Sequence, residues 1–348
     1  MADTPLWPLG DDPEGWPTVS VVMPIRNEAE NLRAAVEAVL SQEYPRPFDV
    51  CLAVAPSDDG TEDLAQRLAE SSDRVTVVTN AAGTTPAGLN AAIRATDGEV
   101  VVRVDGHSKL SECYIRRAVE TMSATGAVNV GGIQHAIGQT PFEGAVAAAQ
   151  QSWLGTGGAR YRVGGNPGPV DTVYLGVFRR DAIEAVGLFD ERLMRNQDYE
   201  LNIRLRKASG TIWFDPELSI AYRPRGSLRS LAKQYYEYGW WKAEVARMHP
   251  SSLRPRQLIA ILAGGATAAA VLSRLRSLAI ASVTFAILCA TAPRRGYSGR
   301  AVRIMIVPTM HSSWLAGLYW NQLLWFLIRI RGRQQSHTNI ADIARSPE

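Results

Sequence analysis

One short segment organises the whole sequence: Gly98-Glu-Val-Val-Val-Arg-Val-Asp105-Gly106-His107-Ser108. Its four valines are β-branched and apolar, which is typical of a strand that is buried on both faces. The strand ends at Asp105-Gly106, a pair that suits a sharp turn. Because ligands bind at the carboxyl edge of open α/β sheets, Asp105 and His107 are predicted to lie in a binding site.

A carboxylate and an imidazole two positions apart can share one divalent cation, and the cation can hold a diphosphate. The alternative is an ordinary loop in which Asp105 caps a helix and His107 faces water. The Asp-x-His spacing does not decide between them by itself. The rest of the chain favours the cation site.

Length and composition describe a folded protein with an uneven distribution of charge. The 348 residues are 46% hydrophobic and 20% charged, which excludes general disorder and allows one domain of about 200–250 residues with an appendage, or two smaller domains. Residues 226–348 contain 16 Lys and Arg against 4 Asp and Glu, a net charge of +12, whereas residues 1–225 carry −9. A basic, apolar C-terminal third predicts contact with an anionic membrane surface, and its apolar runs argue against nucleic acid as the partner.

Cysteine content and the N-terminal residues point to a reducing compartment. The three cysteines are widely spaced, so neither a disulfide framework nor a cysteine-based metal site is predicted. The first residues lack the basic start and apolar core of a secretory signal. The catalytic part is therefore expected to face the cytoplasm.

Strand and helix patterns alternate over the first 105 residues. Strands are predicted at 19–23, 50–55, 75–79 and 100–104, and helices at 31–40, at 62–69 and from about residue 89. Residues 1–17, rich in Pro, Gly and acidic groups, are predicted to be a tail. The alternation favours a parallel sheet of the nucleotide-binding type.

Several motifs in one order resemble a known family. They are Val19-Ser-Val-Val-Met-Pro24-Ile-Arg26-Asn27-Glu28, Thr85-Pro86-Ala-Gly-Leu89-Asn90, Arg103-Val-Asp105-Gly-His107, Gly176-Val-Phe-Arg179-Arg180, Gly187-Leu-Phe189-Asp190-Glu191 and Arg195-Asn196-Gln197-Asp198-Tyr199-Glu200-Leu-Asn202. This series resembles the family-2 glycosyltransferases, which have the GT-A fold, and in particular the succinoglycan-type (ExoA-like) branch, where Asp-x-His replaces the commoner Asp-x-Asp. The resemblance extends over about residues 18–250.

The resemblance implies transfer of a sugar from a nucleotide diphosphate sugar to an acceptor hydroxyl. The residues at which it places the donor are Pro24, Arg26, Asn27, Glu28, Asp58, Asp59, Asn90 and Asp105. The acidic residue that often ends the second strand in the family is replaced here by Val54 or Ala55, which leaves the nucleobase open, with a UDP-sugar favoured. The alternative for Asp58 and Asp59 is an ordinary turn and helix cap.

Asp105 and His107 are the implied metal pair, and Asp198 is the implied base. The cation would be Mg²⁺ or Mn²⁺, and the imidazole favours Mn²⁺. Asn196 is predicted to cap a helix that continues through Leu201 and Leu205, which places Asp198 in its first turn. The alternative role for Asp198 is stabilisation of the helix dipole alone.

Acceptor contacts are predicted at Arg160, Arg162, Gln197, Gln234 and Trp240. The two arginines lie in a glycine-rich segment, residues 153–162, that is expected to be a mobile loop over an acceptor phosphate, or else a plain flexible connection. Gln234 and Trp240 lie where processive relatives carry Gln-x-x-Arg-Trp, but the Arg and Trp positions hold Glu and Tyr. An aromatic stripe of this kind is also typical of packing or of an interfacial belt.

Three uncharged runs, residues 257–272, 277–292 and 304–328, predict membrane attachment by a short hairpin or by helices in the interface. The alternative is a buried C-terminal helical subdomain. The sequence thus predicts an N-terminal tail (1–17), an α/β GT-A domain with a mostly parallel sheet (18–225), an amphipathic aromatic and basic connector (226–256), hydrophobic membrane-associated helices (257–330) and a polar tail (331–348).

The function predicted from these features is that of a membrane-associated, metal-dependent, inverting glycosyltransferase of cell-surface polysaccharide synthesis. Its donor is predicted to be a nucleotide diphosphate sugar and its acceptor a lipid-linked saccharide, at the cytoplasmic face of the cell membrane. One alternative is a polyprenyl-phosphate sugar synthase, in which a lipid phosphate attacks directly. Another is a non-catalytic membrane protein that binds nucleotide sugar as a sensor or scaffold.

Overall fold

The structure is a computed structural model that describes residues 5–272 and 300–343. The described residues form two compact units, 5–225 with 300–303, and 226–272 with 304–343. The first unit contains the sheet and all of the predicted site residues except Gln234 and Trp240. The finer division predicted for the C-terminal part stays a prediction.

A nine-stranded mixed sheet forms the centre of the first unit. Its strands are β1 (Val19–Ile25), β2 (Asp49–Val54), β3 (Val75–Thr79), β4 (Val100–Arg103), β5 (Lys109–Leu110), β6 (Asn129–Ala136), β7 (Gly168–Pro169), β8 (Tyr174–Arg179) and β9 (Ile212–Tyr222). Their order is β3-β2-β1-β4-β8-β6-β9-β5, with β7 paired to β9. The sheet is parallel from β3 to β4, as predicted, and β6 is also parallel to β9. Strand β8 runs antiparallel to both β4 and β6, however, so the whole sheet is mixed rather than mostly parallel.

Helices cover both faces of this sheet. They are α1 (Leu32–Leu40), α2 (Thr61–Glu70), α3 (Thr85–Arg94), α4 (Tyr114–Thr125), α5 (Pro141–Gln150), α6 (Trp153–Thr156), α7 (Arg160–Val163), α8 (Arg180–Ala185) and α9 (Gln197–Lys207). Apolar residues of α1, α2 and α4 form one core, and those of α3, α8 and α9 form the other. Val100 and Val102 pack in the first core and Val101 in the second, so β4 is buried on both faces as its sequence predicts.

Pro24 lies inside β1, although the sequence predicted that the strand would end before it. Pro24 is aligned with Ala53 of β2. On the other side Val22 accepts the hydrogen bond of Val104 at 3.1 Å, and the β1–β4 pairing ends there. The N–H that proline lacks would face that same side, two residues further on, so Pro24 interrupts no hydrogen bond of the sheet.

Two other predicted boundaries are corrected. Helix α3 begins at Thr85 rather than near residue 89, because the Thr84 hydroxyl caps Ala87 N–H at 3.4 Å and Pro86 is tolerated in the first turn. The predicted N-terminal tail is in part packed on the domain. Its Trp7 N–H donates to the Ser123 hydroxyl at 3.2 Å, and the Trp16 side chain is buried in the core.

The second unit contains α10 (Leu228–Met248), α11 (Pro255–Leu272) and most of α12 (Arg300–Ile343). Helices α10 and α12 touch backbone to backbone, since a Cβ on Gly239 would lie 1.8 Å from the Trp314 carbonyl oxygen and one on Gly317 would lie 2.0 Å from that of Tyr236. Among the helices of residues 5–272 and 300–343, none combines the length and the apolar character needed to cross a membrane. The predicted run 277–292 lies outside the described residues.

Candidate functional site

A buried arginine joins the two carboxylates that the sequence singled out. Arg103 is the last residue of β4, and its side chain is only 5% exposed. Its Nε and Nη2 donate to Asp105 Oδ1 at 3.2 and 3.0 Å, and its Nη1 donates to Asp198 Oδ1. Asp105 and Asp198 therefore lie at one edge of the sheet, where their side chains are 21% and 25% exposed.

Helix α9 carries Asp198 in its first turn and is anchored by apolar and polar contacts. Leu201 and Leu205 are buried on one face, as predicted. Asn202, one turn beyond Asp198, accepts a hydrogen bond from Asn129 Nδ2 at 2.7 Å and donates to Thr172 Oγ1 at 2.9 Å. The capping prediction for Asn196 is wrong, because its backbone is left-handed (φ 62°) and its side chain makes no capping hydrogen bond.

Charge and burial act in opposite directions on this group. Burial raises the pKa of the Asp198 carboxyl, the Asp105 charge adds to the rise, and the Arg103 guanidinium opposes it. Burial alone would lower the pKa of Arg103, but the two carboxylates outweigh it and the pKa is raised. Arg103 is therefore a permanent cation between two acids.

His107 contacts Glu28, one of the residues predicted to bind the donor. The His107 Nδ1 lies 2.7 Å from Glu28 Oε1, and this hydrogen bond raises the pKa of His107 although partial burial opposes the rise. Half of the His107 side chain is exposed. Glu28 therefore orients His107 directly.

A divalent cation fits the donor atoms that Asp105 and His107 leave available. Over the described ranges no group of three His, Cys, Asp or Glu residues surrounds a common point. Arg103 uses Oδ1 of Asp105, and Glu28 uses Nδ1 of His107, which leaves Oδ2 and Nε2. A histidine held by a carboxylate through one ring nitrogen is the usual arrangement for metal binding through the other. Two protein ligands suit a cation whose remaining ligands are diphosphate oxygens and water.

The turn after β1 is joined to the turn after β2. Asn27 is left-handed (φ 52°), its N–H donates to Ser57 Oγ at 3.1 Å, and its Oδ1 accepts from Asp58 N–H at 3.1 Å. Glu28 N–H donates to Thr61 Oγ1 at 2.8 Å. The residues predicted to hold the nucleoside are thus brought together.

Asp58 and Asp59 have different positions in this turn. Asp59 accepts hydrogen bonds from Ala29 N–H at 3.0 Å and from the Thr61 hydroxyl at 2.5 Å, which lower its pKa. Asp59 therefore braces the turn, which is the alternative left open by the sequence, and its predicted contact with the donor stays a prediction. Asp58 is exposed, and its carboxylate accepts no hydrogen bond within the described part of the chain.

The side chains of Arg26 and Asn90, both predicted to bind the donor, differ in how exposed they are to a ligand. Arg26 is exposed, and its Nη1 donates to the Gly83 carbonyl at 3.2 Å. Asn90 is buried in α3, where its Nδ2 donates to the Phe189 carbonyl at 2.9 Å and to Glu191 Oε1 at 2.8 Å, while its Oδ1 accepts from Phe189 N–H at 3.0 Å. The predicted donor contact of Asn90 stays a prediction, and its amide already fixes the loop that contains Phe189 and Glu191.

The predicted acceptor residues lie in two places. Strand β6 runs in the direction of β4, because both are antiparallel to β8, so the segment that follows β6 leaves from the edge that carries Asp105. This segment contains Arg160, which is exposed, and Arg162, whose guanidinium lies 5.4 Å from the Tyr161 ring centroid. The glycine-rich stretch is not irregular, since it forms the one-turn helices α6 and α7.

The other predicted acceptor residues lie on helices. Gln197 is the buried first residue of α9, beside Asp198. Gln234 and Trp240 lie on α10 in the second unit, where Gln234 is buried and Trp240 is half-buried. The aromatic stripe around them contributes to the packing of α10, as the Tyr235–Tyr238 ring contact at 5.6 Å shows.

Arg103 is the site residue whose role the sequence analysis missed. A charged residue that interrupts a run of valines needs a partner when it is buried, and this pattern was visible in the sequence. The Glu28–His107 pair carried no such signal, because the two residues are 79 positions apart.

Comparison with known proteins identifies relatives along almost the whole chain. The family described as Glycosyl transferase family 2 matches residues 20–187. The chain is 31% identical over 320 residues to the succinoglycan biosynthesis protein ExoA of Rhizobium meliloti (strain 1021), which covers 89% of this chain and 96% of that protein. It is 23% identical over 238 residues, 66% of this chain and 74% of the relative, to a dolichyl N-acetyl-alpha-D-glucosaminyl phosphate 3-beta-D-2,3-diacetamido-2,3-dideoxy-beta-D-glucuronosyltransferase of Methanococcus voltae.

A solved structure shares the fold. The mannosyltransferase PcManGT from Pyrobaculum calidifontis, in complex with GDP-Man and Mn²⁺, superposes with a TM-score of 0.63 at 19% sequence identity. The match covers 91% of this chain and 90% of that one. The α/β architecture described above is thus a GT-A-like fold.

Proposed function

The chain belongs to glycosyltransferase family 2, and on that premise we propose that it transfers a sugar, with inversion, from a nucleoside diphosphate to an acceptor hydroxyl. One observation carries the proposal. A single guanidinium, that of Arg103, holds both Asp105, on the side assigned to the donor phosphates, and Asp198, the candidate base. The two carboxylates that such a transfer needs are therefore adjacent and partly open to ligands.

On the donor side, the joined turns after β1 and β2 offer Arg26, Asn27 and the free carboxylate of Asp58 to the nucleoside. Asp105 and His107 would hold Mn²⁺ or Mg²⁺, and such a cation compensates the charge of a departing diphosphate. The mannosyltransferase with the similar fold was solved with GDP-Man and Mn²⁺, which supports a nucleotide sugar and a divalent cation here.

On the acceptor side, Asp198 takes the proton. The acceptor oxygen forms a bond to the anomeric carbon as the bond from that carbon to the diphosphate oxygen breaks, and the bonding electrons leave with the diphosphate. The hydroxyl proton passes to Asp198, whose raised pKa makes it a stronger base than an ordinary aspartate. A single displacement of this kind inverts the anomeric centre.

We assign a lipid-linked saccharide as the acceptor, at the cytoplasmic face of the cell membrane. The Methanococcus voltae relative is named for a dolichyl phosphate-linked sugar, and the Rhizobium meliloti relative for synthesis of succinoglycan. The net charge of +12 in residues 226–348 suits a surface rich in anionic lipid.

The donor is tested with the full chain reconstituted in vesicles. UDP-glucose, UDP-galactose, UDP-N-acetylglucosamine and GDP-mannose are screened for thermal stabilisation with Mn²⁺, and then for transfer of labelled sugar to lipid extracted from bacterial membranes. We expect one donor to raise the unfolding temperature only with the cation present and to label the lipid. Binding without any transfer would favour the sensor or scaffold alternative and contradict the proposal.

A further inference from the structure

Arg103 donates hydrogen bonds to only one oxygen of each of its two partner carboxylates. It donates to Oδ1 of Asp105 and to Oδ1 of Asp198. Within residues 5–272 and 300–343, no hydrogen bond ends on Oδ2 of either residue. Each acid is thus held through one oxygen and keeps the other for a ligand or a proton.

The position of Arg103 is not explained by packing. Neighbouring β4 residues are buried valines, and a guanidinium in their place must be removed from water almost completely. Buried ion pairs commonly contribute no more stability than apolar side chains of the same size. The three-residue group therefore points to a role in the chemistry of the two acids.

Arg103 also solves an electrostatic problem of the site. Two carboxylates close together in a partly buried place repel each other, and one of them tends to take up a proton. The guanidinium is planar and carries donors in a fixed fork, so it can neutralise both acids and fix their directions at once. Lysine, a single point charge, cannot reproduce this geometry.

We propose that Arg103 is a positioning residue that fixes the Asp198 carboxylate against Asp105, so that the base and the donor phosphates share one rigid frame. This inference rests on the proposed function. It adds that transfer requires the fork of Arg103 and not merely the presence of Asp198. Arg103 itself contacts neither acceptor nor proton in this account.

The test uses the full chain in vesicles and the nucleotide sugar that the parent turns over in the donor screen. Arg103→Met removes the charge at similar volume, Arg103→Lys keeps the charge without the fork, and Asp198→Asn removes the base. Each of the two Arg103 variants is also combined with Asp198→Asn. We expect Arg103→Met to lower kcat about 10²-fold, the effect of misplacing a reacting group by about 1 Å, and to change KM for the donor less than about threefold. Arg103→Lys should recover part of the loss.

Two readouts separate positioning from a structural role. In the Asp198→Asn background, Arg103→Met should lower kcat little further, because residues that act as a unit are not additive. The acid limb of the kcat–pH profile should also move to higher pH in Arg103→Met, because Asp198 then faces Asp105 without the compensating guanidinium. A purely structural role predicts additive losses and an unmoved profile, and that result would overturn the inference. If Arg103→Met does not fold, Arg103→Lys supplies the same cycle.

A measurement of Mn²⁺ affinity, which does not depend on transfer, separates a failure of this inference from a failure of the proposed function. Arg103→Met should bind Mn²⁺, titrated in the presence of UDP, at least as tightly as the parent, because it removes a positive charge beside Asp105. Weaker binding in Arg103→Met would show that Arg103 acts mainly by orienting the metal ligand Asp105, and it would overturn the inference that Arg103 acts on Asp198. Full transfer by Asp198→Asn would instead overturn the proposed base, whereas loss in Asp198→Asn with full activity in Arg103→Met would overturn only the role of Arg103.

Discussion

His107 keeps one ring nitrogen for a ligand because Glu28 occupies the other at 2.7 Å. A carboxylate behind an imidazole fixes the tautomer and raises the basicity of the free nitrogen. Glu28→Gln nearly preserves shape but removes that charge, so Mn²⁺ affinity should fall about 10- to 100-fold. Titration of Mn²⁺ with UDP present measures it. Glu30→Gln, an exposed acid two residues further on, is the matched control, and equal affinities in the two variants would argue against a metal role for His107.

The ionisation of Asp198 predicts the acid limb of the pH profile. Its pKa is raised by burial, and a base acts only in its ionised form. Turnover should therefore fall as the pH drops through a value above about 3.9, the ordinary pKa of aspartate. The measurement is kcat as a function of pH with the donor saturating. A profile flat down to pH 4 would mean that proton transfer to Asp198 does not limit the reaction.

Among single residues, the sequence motifs pointed to Asp105 and Asp198 but did not predict which side chains these two acids contact. Asp105 and Asp198 were chosen from motifs, and they lie together. Asn90 and Asp59 stood in equally good motifs, yet their side chains are used by the protein itself. Which polar groups have a partner depends on chain segments that meet only in the fold, as Asn90 and Phe189 do.

Helix α9 brings Asp198 to β4. The hydrogen bonds of Asn202 to Asn129 and Thr172, which hold this helix in place, can be tested by substitution. Asn202→Leu keeps the branched shape, although leucine is the larger residue, and it leaves Asn129 Nδ2 and Thr172 Oγ1 without this partner. A buried polar group that loses its partner costs about 1–3 kcal/mol in the free energy of unfolding. Chemical denaturation should show that loss, and Thr172→Val, which removes a single hydroxyl, should show a smaller one. Identical stabilities for the parent and Asn202→Leu would refute the anchor.

The close approach of helices α10 and α12 at Gly239 can also be tested by substitution. Gly239→Ala would place a Cβ 1.8 Å from the Trp314 carbonyl oxygen, whereas Gly265→Ala meets its nearest atom, Tyr319 Oη, at 3.4 Å. The first variant should therefore lower the unfolding temperature and expose the second unit to protease. The second should be neutral or stabilising by up to about 1 kcal/mol, the helix preference of alanine over glycine. Equal protease sensitivity of the two would show that the helices do not cross at Gly239.

Element types were predictable where periodicity is strong, and element pairing was not. The first four strands were identified from short apolar runs, and β3 has the predicted bounds. The antiparallel insertion of β8 between β4 and β6 was not predicted, because pairing between distant strands is not written in the local pattern. The predicted end of β1 before Pro24 was wrong for a related reason. Whether a proline ends a strand depends on whether a neighbouring strand needs its N–H, and β4 is no longer paired with β1 at Pro24.

For the whole molecule, attachment to a membrane by charge and attachment by hydrophobic contact are expected to respond differently to salt. The +12 charge of residues 226–348 should draw the chain to anionic lipid by about 1 kcal/mol per basic residue near the surface, and salt should screen that attraction. If the uncharged runs contact the membrane as predicted, they should add a hydrophobic contribution that salt does not weaken. We therefore expect the full chain to stay with membranes in high salt and to leave them in detergent. Complete release by salt would contradict hydrophobic attachment.

We propose that Asp198 is the base of a nucleotide-sugar transfer. Its most direct test compares the parent with Asp198→Asn, full-length and in vesicles, by single-turnover transfer of labelled sugar to lipid-linked acceptor. Turnover should fall by about 10²–10⁴-fold, with donor affinity close to that of the parent. Undiminished transfer by Asp198→Asn would contradict the account and favour direct attack by a lipid phosphate.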